Sequence, residues 1–404
     1  DYVEAHCNLG NALKDLGQFS EAESAYAAAL VIKPDFPQTH YNRAVVLEDL
    51  GRVDEAITAY QSALIHNSDY AEAHTNLGNL YRKWGQHDEA FRHHEAAAKL
   101  KPNSAEALTN LGIALHDLLR FDEALLSFDK AIQLNPQYPN AYSNRAATLQ
   151  ELGRYGEALE MSERAIELNP QYAEAYANRG IALYQLNRVA EALTDYDRAI
   201  QISPLLRDPN WNKAMALLAH RQFKAGWPYF LYRDRSAAAR LPGLPVWAHG
   251  VSFSKVLVLA EQGIGDEIFY SKALGVFCER YGLPACVTLD ARLLKVFQRS
   301  FPDLRFHDRT KMVDLASSDF DLQMALGDIC TLLSADPLRD QLLAKPHLKV
   351  DLQQPNRLIQ LGNKPATPRI GLSWRSKNAK FGVQKSIALI EMMRELRDID
   401  ADRK

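Results

Sequence analysis

A period of 34 residues runs through the first half of this chain and constrains its fold more than any other feature. Gly10, Gly78, Gly112 and Gly180 stand at multiples of 34 from one another, with Ala44 and Ala146 in the two gaps. Ala22, Ala56, Ala90, Ala124, Ala158 and Ala192 form a second series, and Ala29, Ala63, Ala97, Ala131, Ala165 and Ala199 a third. Aromatic residues at Tyr26, Tyr60, Phe128 and Tyr196 fall between the alanines, and Pro34, Pro102, Pro136, Pro170 and Pro204 close most units. The pattern predicts two antiparallel helices per unit. Small residues let paired helices approach, aromatic and leucine positions fill the gap to the next unit, and proline stops the second helix. One hairpin cannot bury its apolar face alone, but a stack can.

A further series is unbroken. Asn8, Asn42, Asn76, Asn110, Asn144, Asn178 and Asn212 are each 34 residues apart, in the first helix of each unit. Asparagine is a poor helix former, so local propensity does not ask for it there. Its amide offers an acceptor and two donors, which suit the N–H and C=O groups of an extended peptide. The same amides could instead bond to a neighbouring helix and lock the hairpin geometry. The sequence leaves both readings open.

This period and residue pattern resemble the tetratricopeptide repeat. Six units match over residues 1–204, and a degenerate seventh over 205–234 keeps Trp211, Leu217 and Phe223 without the alanine series. The fold expected is an α-solenoid. Segments such as Ala5-His6-Cys7-Asn8-Leu9-Gly10-Asn11-Ala12-Leu13 are similar to the repeats of O-linked N-acetylglucosamine transferase. That resemblance implies an asparagine ladder that holds protein acceptors in the groove.

The chain has 404 residues, too many for one ordinary core. A net charge of −3 argues against a nucleic-acid partner, and no apolar run approaches the length of a membrane span. The first residues, Asp1 to His6, lack a basic start and an apolar core, so no signal peptide is expected. They read as a cut through an ongoing repeat, with the natural protein expected to begin earlier. Cys7, Cys278, Cys286 and Cys330 are widely spaced and read as reduced thiols in a cytoplasmic protein. Neither they nor the His93-His94 pair has a metal-ligand spacing, so no metal site is expected.

The period stops after residue 234. Residues 235–253 hold Pro242-Gly243 and Pro245 and read as a connector. Alternating strands and helices are then expected: strands over 255–260, 285–289, 304–307, 320–324 and 347–350, helices over 268–281 and 291–300. This βαβ series predicts a doubly wound parallel sheet over 254–352. A second unit starts within 366–404, with a strand over 369–373 and a helix over 385–397, and is incomplete.

Ligands of open α/β sheets sit at the carboxyl ends of the strands. One such loop is Glu261-Gln262-Gly263-Ile264-Gly265-Asp266. Its glycines let a substrate approach the backbone, and Asp266 stands where a carboxylate could accept a proton from an attacking hydroxyl. Asp266 could equally be an ordinary helix cap. A dinucleotide fingerprint is not met, because the third glycine position holds Ile268. The other loop, Ser373-Trp374-Arg375-Ser376-Lys377-Asn378 with Lys380 and Lys385, offers hydroxyls and cations suited to a diphosphate, or is a solvated basic loop.

From Gly226-Trp227 through Arg233, Pro245-Val246-Trp247, Glu261 to Asp266 and Gly371 to Arg375, the chain resembles bacterial repeat proteins that end in a glycosyltransferase domain related to the heptosyltransferases. The resemblance implies an inverting, metal-independent transferase of two Rossmann-like halves. Asp266 would be the base, and Ser373, Arg375, Ser376 and Lys385 would hold a nucleotide-sugar co-substrate, with no resident cofactor. About 100 residues of that family's second half are missing. The expected function is therefore a repeat-containing glycosyltransferase that recruits a protein acceptor. The alternative is a non-catalytic peptide-binding scaffold whose α/β region is a cap.

Overall fold

A computed structural model describes residues 2–220, 222–233, 240–248, 251–260, 264–282, 284 and 286–333. The chain divides into two compact units, residues 1–209 and 210–404.

The first unit is a stack of six helical hairpins. They are α1 (Tyr2–Asp15) with α2 (Phe19–Ile32), α3 (Pro37–Asp49) with α4 (Val53–His66), and α5 (Ala71–Lys83) with α6 (His87–Leu100). These are followed by α7 (Ala105–Asp117) with α8 (Phe121–Leu134), α9 (Pro139–Glu151) with α10 (Tyr155–Leu168), and α11 (Ala173–Gln185) with α12 (Val189–Ile202). The two alanine series are buried where the helices meet, with Ala22, Ala56, Ala124, Ala158 and Ala192 at 0% exposure. A Cβ on Gly112 would stand 2.5 Å from the Phe128 ring, and one on Gly180 2.6 Å from Tyr196, so the close approach requires glycine there. The aromatic series has two departures: His94 and Ser162 occupy its third and fifth places, and both are buried.

Each turn inside a hairpin needs a residue in the left-handed region, at positions 17, 51, 85, 119, 153 and 187. Glycine fills four of them, Asn187 (φ 62°) a fifth, and Leu119 (φ 61°) takes the last against its own steric preference. A second device recurs between hairpins. A ring on the first helix bonds the carbonyl six residues earlier: His40 Nε2 to Pro34 (2.7 Å), His74 Nε2 to Ser68 (3.1 Å), and the hydroxyls of Tyr142 to Pro136 (3.3 Å) and Tyr176 to Pro170 (3.4 Å).

The second unit starts within α13 (Arg207–Ala219), followed by α14 (Phe223–Gly226) and a 3-10 segment, Trp227–Tyr232. Residues 210–234 therefore group with the α/β unit, although the period reads them as the end of a seventh repeat. The second helix of that repeat is only four residues long, and Trp227 and Phe230 turn into the α/β core. Four parallel strands follow: β1 (Val256–Leu259), β2 (Cys286–Leu289), β3 (Phe306–Asp308) and β4 (Leu322–Ala325), in the order β3-β2-β1-β4. Between them run α15 (Ile264–Tyr281) and α16 (Leu294–Ser300), and α17 (Asp328–Leu332) follows β4. Strand β1 is buried on both faces: Val256 and Val258 pack with Leu274 and Phe277 of α15, while Leu257 and Leu259 pack with Leu241, Met312 and Phe320.

Residues 245–247 of the connector pair with the edge strand β4. Trp247 N–H donates to Gln323 O and Gln323 N–H to Pro245 O, both at 2.8 Å, and Val246 bridges Gln323 in parallel. The buried Gln323 amide accepts from Leu241 N–H (2.9 Å) and donates to the Leu241 and Leu244 carbonyls (3.0 and 2.6 Å). The strand expected at 347–350 and all the elements expected after it lie outside the described residues.

Candidate functional site

Six of the seven ladder asparagines lie on the first helices of the stack, and Asn212 lies on α13 in the other unit. Asn42 donates from Nδ2 to Asn11 Oδ1 (3.1 Å) and accepts from Gln38 Nε2 (3.2 Å). Asn76 Nδ2 donates to the hydroxyls of Tyr41 (3.1 Å) and Tyr60 (3.3 Å). Asn178 Nδ2 reaches Ser143 O (3.0 Å) and Oγ (3.1 Å). These three amides each bond to the preceding hairpin, which is the locking role. Asn144 Nδ2 returns to Asn140 O on its own helix (2.8 Å). Asn8 is exposed. Asn110 is half-buried, and its amide has no partner among the described residues. The donor half of the series is thus largely spent on the stack. The Oδ1 atoms of Asn76 and Asn178 and the whole amide of Asn110 remain without protein partners among the described residues.

The strand ends of the α/β unit carry a charged group that sequence reading passed over. Glu267, in the first turn of α15, is fully buried. Its carboxylate accepts from Asp290 N–H (2.9 Å) and from Arg309 Nη1 (2.8 Å). Asp290 directly follows β2 and accepts from Arg292 Nε and Nη2 (2.8 and 2.9 Å) and from Arg309 Nη2 (3.1 Å). Burial pushes the Glu267 carboxyl up, against the opposing pull of Arg309. The Arg292 guanidinium holds Asp290 well below the usual carboxylate range. The signal was available, since Asp290 and Arg309 stand immediately after strands, at their carboxyl ends.

This group pins the start of α15 to the end of β2. The helix begins at Ile264, four residues before the expected start at Ile268, so Gly265 and Asp266 are in its first turn. Glu261, Gln262 and Gly263, and the expected donor residues Ser373, Arg375, Ser376 and Lys385, lie outside the described residues. Three residues after the carboxyl end of β4, Asp328 Oδ1 forms an ion pair with Arg233 Nη2 at 2.8 Å, with both side chains fully buried, beside Gly327. Among the described residues, no group of three or more His, Cys, Asp or Glu side chains could hold a metal, and no helix is long and apolar enough to cross a membrane.

Models described as tetratricopeptide repeat match residues 7–72 and 144–206, 71–104 and 105–138, and 127–160. Residues 7–206 are tetratricopeptide repeats. A tetratricopeptide repeat protein from Parabacteroides merdae ATCC 43184 shares the fold at 21% identity and a TM-score of 0.52, over 57% of this chain and 91% of that one. YrrB, described as a TPR protein with an unusual peptide-binding site, is similar at 25% identity and a TM-score of 0.39, over 49% and 98%. PilF of Pseudomonas aeruginosa is similar at 20% identity and a TM-score of 0.45, over 53% and 97%. No curated protein matches the chain. The family matches fall within residues 7–206, and the second compact unit begins at Asn210.

Proposed function

We propose that the repeats bind an extended segment of another protein along the face formed by their first helices. The observation that carries this reading is the amide of Asn110. It sits mid-stack, half-buried and without a protein partner among the described residues, while Asn76 bonds to the preceding hairpin and Asn144 to its own helix. Such an amide is open to an external donor and acceptor. A photo-reactive side chain tests it. Placed at Ile113, one turn along from Asn110, it should cross-link a pool of short degenerate peptides. Placed at the exposed Gln133 on α8, it should not. Equal yields from the two positions would remove the first-helix face as the binding surface.

A second reading is a glycosyltransferase that uses the repeats to recruit its acceptor. It is favoured by the strand order β3-β2-β1-β4, which matches one half of a doubly wound, Rossmann-like fold, and by the position of Asp266 in the first turn after β1. In this reading Asp266 deprotonates the attacking hydroxyl, and Ser373, Arg375, Ser376 and Lys385 hold the leaving diphosphate of a nucleotide sugar. Nucleotide release from a panel of sugar nucleotides, lost in Asp266→Ala, is the expected result. Release that survives Asp266→Ala would reject the aspartate as base.

A further inference from the structure

We propose that the repeat face takes a cationic extended segment, one with lysine or arginine at about every third residue. The proposal rests on the peptide-binding reading and names the chemistry of its partner. On a helix, residues four before and seven after a given position share its face. Four before the asparagines stand Glu4, Glu72, Glu106 and Glu174, with no base in that row. Seven after them stand Asp15, Asp49, Asp117 and Glu151, with Lys83 as the row's single base. Two rows of carboxylates therefore flank the asparagine series.

The first row has a local reason. It lies in the first turn of its helices, where the helix dipole favours an acid. The second row has none. Asp15, Asp49, Asp117 and Glu151 are the last residues of α1, α3, α7 and α9, where the dipole favours a cation. Arg82 compensates Asp117 at 2.5 Å, but Asp15 and Asp49 have no ion pair among the described residues. Acids repeated at the wrong end of a helix violate a local rule, which is the expected mark of a functional position.

Glu72 pairs with Lys101 and Asp117 with Arg82, but the other arginines of the first helices do not neutralise these rows. Arg43, Arg145 and Arg179 are each held by a carboxylate on a second helix: Glu23, Asp129 and Asp195, all at 2.7 Å. Packed helices stand about 10 Å apart and an extended chain advances about 3.3 Å per residue, so one repeat matches about three peptide residues.

The test uses the full chain and three fluorescent peptides of equal length in a glycine-serine background. They carry lysine, serine or glutamate at every third position. Anisotropy at low salt should show the lysine peptide binding about tenfold tighter than the serine peptide, through several exposed pairs acting together. That preference should fade as salt is raised. The triple variant Asp15→Lys, Asp49→Lys, Glu106→Lys should keep its helical melt and prefer the glutamate peptide. If the serine peptide binds wild type as tightly as the lysine peptide, the charge assignment fails and peptide binding stands. If the triple variant still prefers lysine, the cation binds elsewhere and the proposal fails. If no peptide binds either protein, both the proposal and the reading beneath it fail.

Discussion

The two units carry information in opposite ways. In the repeats each structural position occurs six times, so the meaning of a residue is read by comparison with its equivalents. His94 shows it: the ring occupies the place of Tyr26, Tyr60, Phe128 and Tyr196, against Gly78. In the α/β unit every position occurs once. Glu267, Asp290 and Arg309 gain meaning only from where the sheet puts them, at the ends of adjacent strands. A repeated scaffold exposes its exceptions, whereas a single-copy sheet exposes its sites.

The largest expected effect separates the two units. Arg233→Ala removes the ion pair of the fully buried Asp328 carboxylate and should cost the α/β unit about 3–5 kcal/mol. Urea unfolding followed by tryptophan fluorescence should report the loss, because Trp227 and Trp247 are buried in that unit. Far-ultraviolet circular dichroism, dominated by the repeat helices, should keep its midpoint. The double variant Arg233→Met, Asp328→Leu should recover most of the loss. Equal shifts in both signals would mean that the units unfold as one and that the contrast between them is not energetic.

That contrast also explains what was legible beforehand. Repeat boundaries and the hairpin pattern follow from the local 34-residue period. The four strands of the sheet lie within two residues of their expected bounds, because a short apolar run between turns marks a buried strand. The contacts of the connector were not legible, because Gln323 lies 82 residues from Leu241 and a contact at that distance leaves no local pattern. The asparagine series was visible as a series. Its bonding was not, since the partners Tyr41, Tyr60 and Ser143 belong to the preceding hairpin and vary from unit to unit.

The next effect tests the exception within the repeats. Burial pushes His94 and His93 down to about 4, with Arg82 adding to it at His94 and His74 at His93. His74 and His93 also share a bond between their Nδ1 atoms at 2.9 Å, which cannot hold two protons. Between about pH 6.5 and 4 the unfolded chain binds these protons and the folded chain does not, so folding is favoured less as pH falls. Stability should be full above about pH 6.5 and fall by up to about 3 kcal/mol per histidine on approach to pH 4, less where solvent screens the partly exposed His93. His94→Phe restores the aromatic of the other repeats and should remove a large part of that slope in thermal melts. An unchanged slope would place the acid sensitivity elsewhere.

The smallest effect decides what the asparagine series is for. Asn76→Ala removes donors to two tyrosines and should cost about 1 kcal/mol of repeat stability. Asn110→Ala removes no protein bond and replaces a poor helix former with the best one, so stability should hold or rise by about 0.5 kcal/mol. Peptide affinity should show the reverse order, with Asn110→Ala losing more than Asn76→Ala, whose donors are already committed to the stack. Equal losses of affinity would mean that the series grips the peptide as a unit despite its internal bonds. A loss of stability alone, at Asn76 and without any effect of Asn110 on binding, would make the series a device for stacking hairpins.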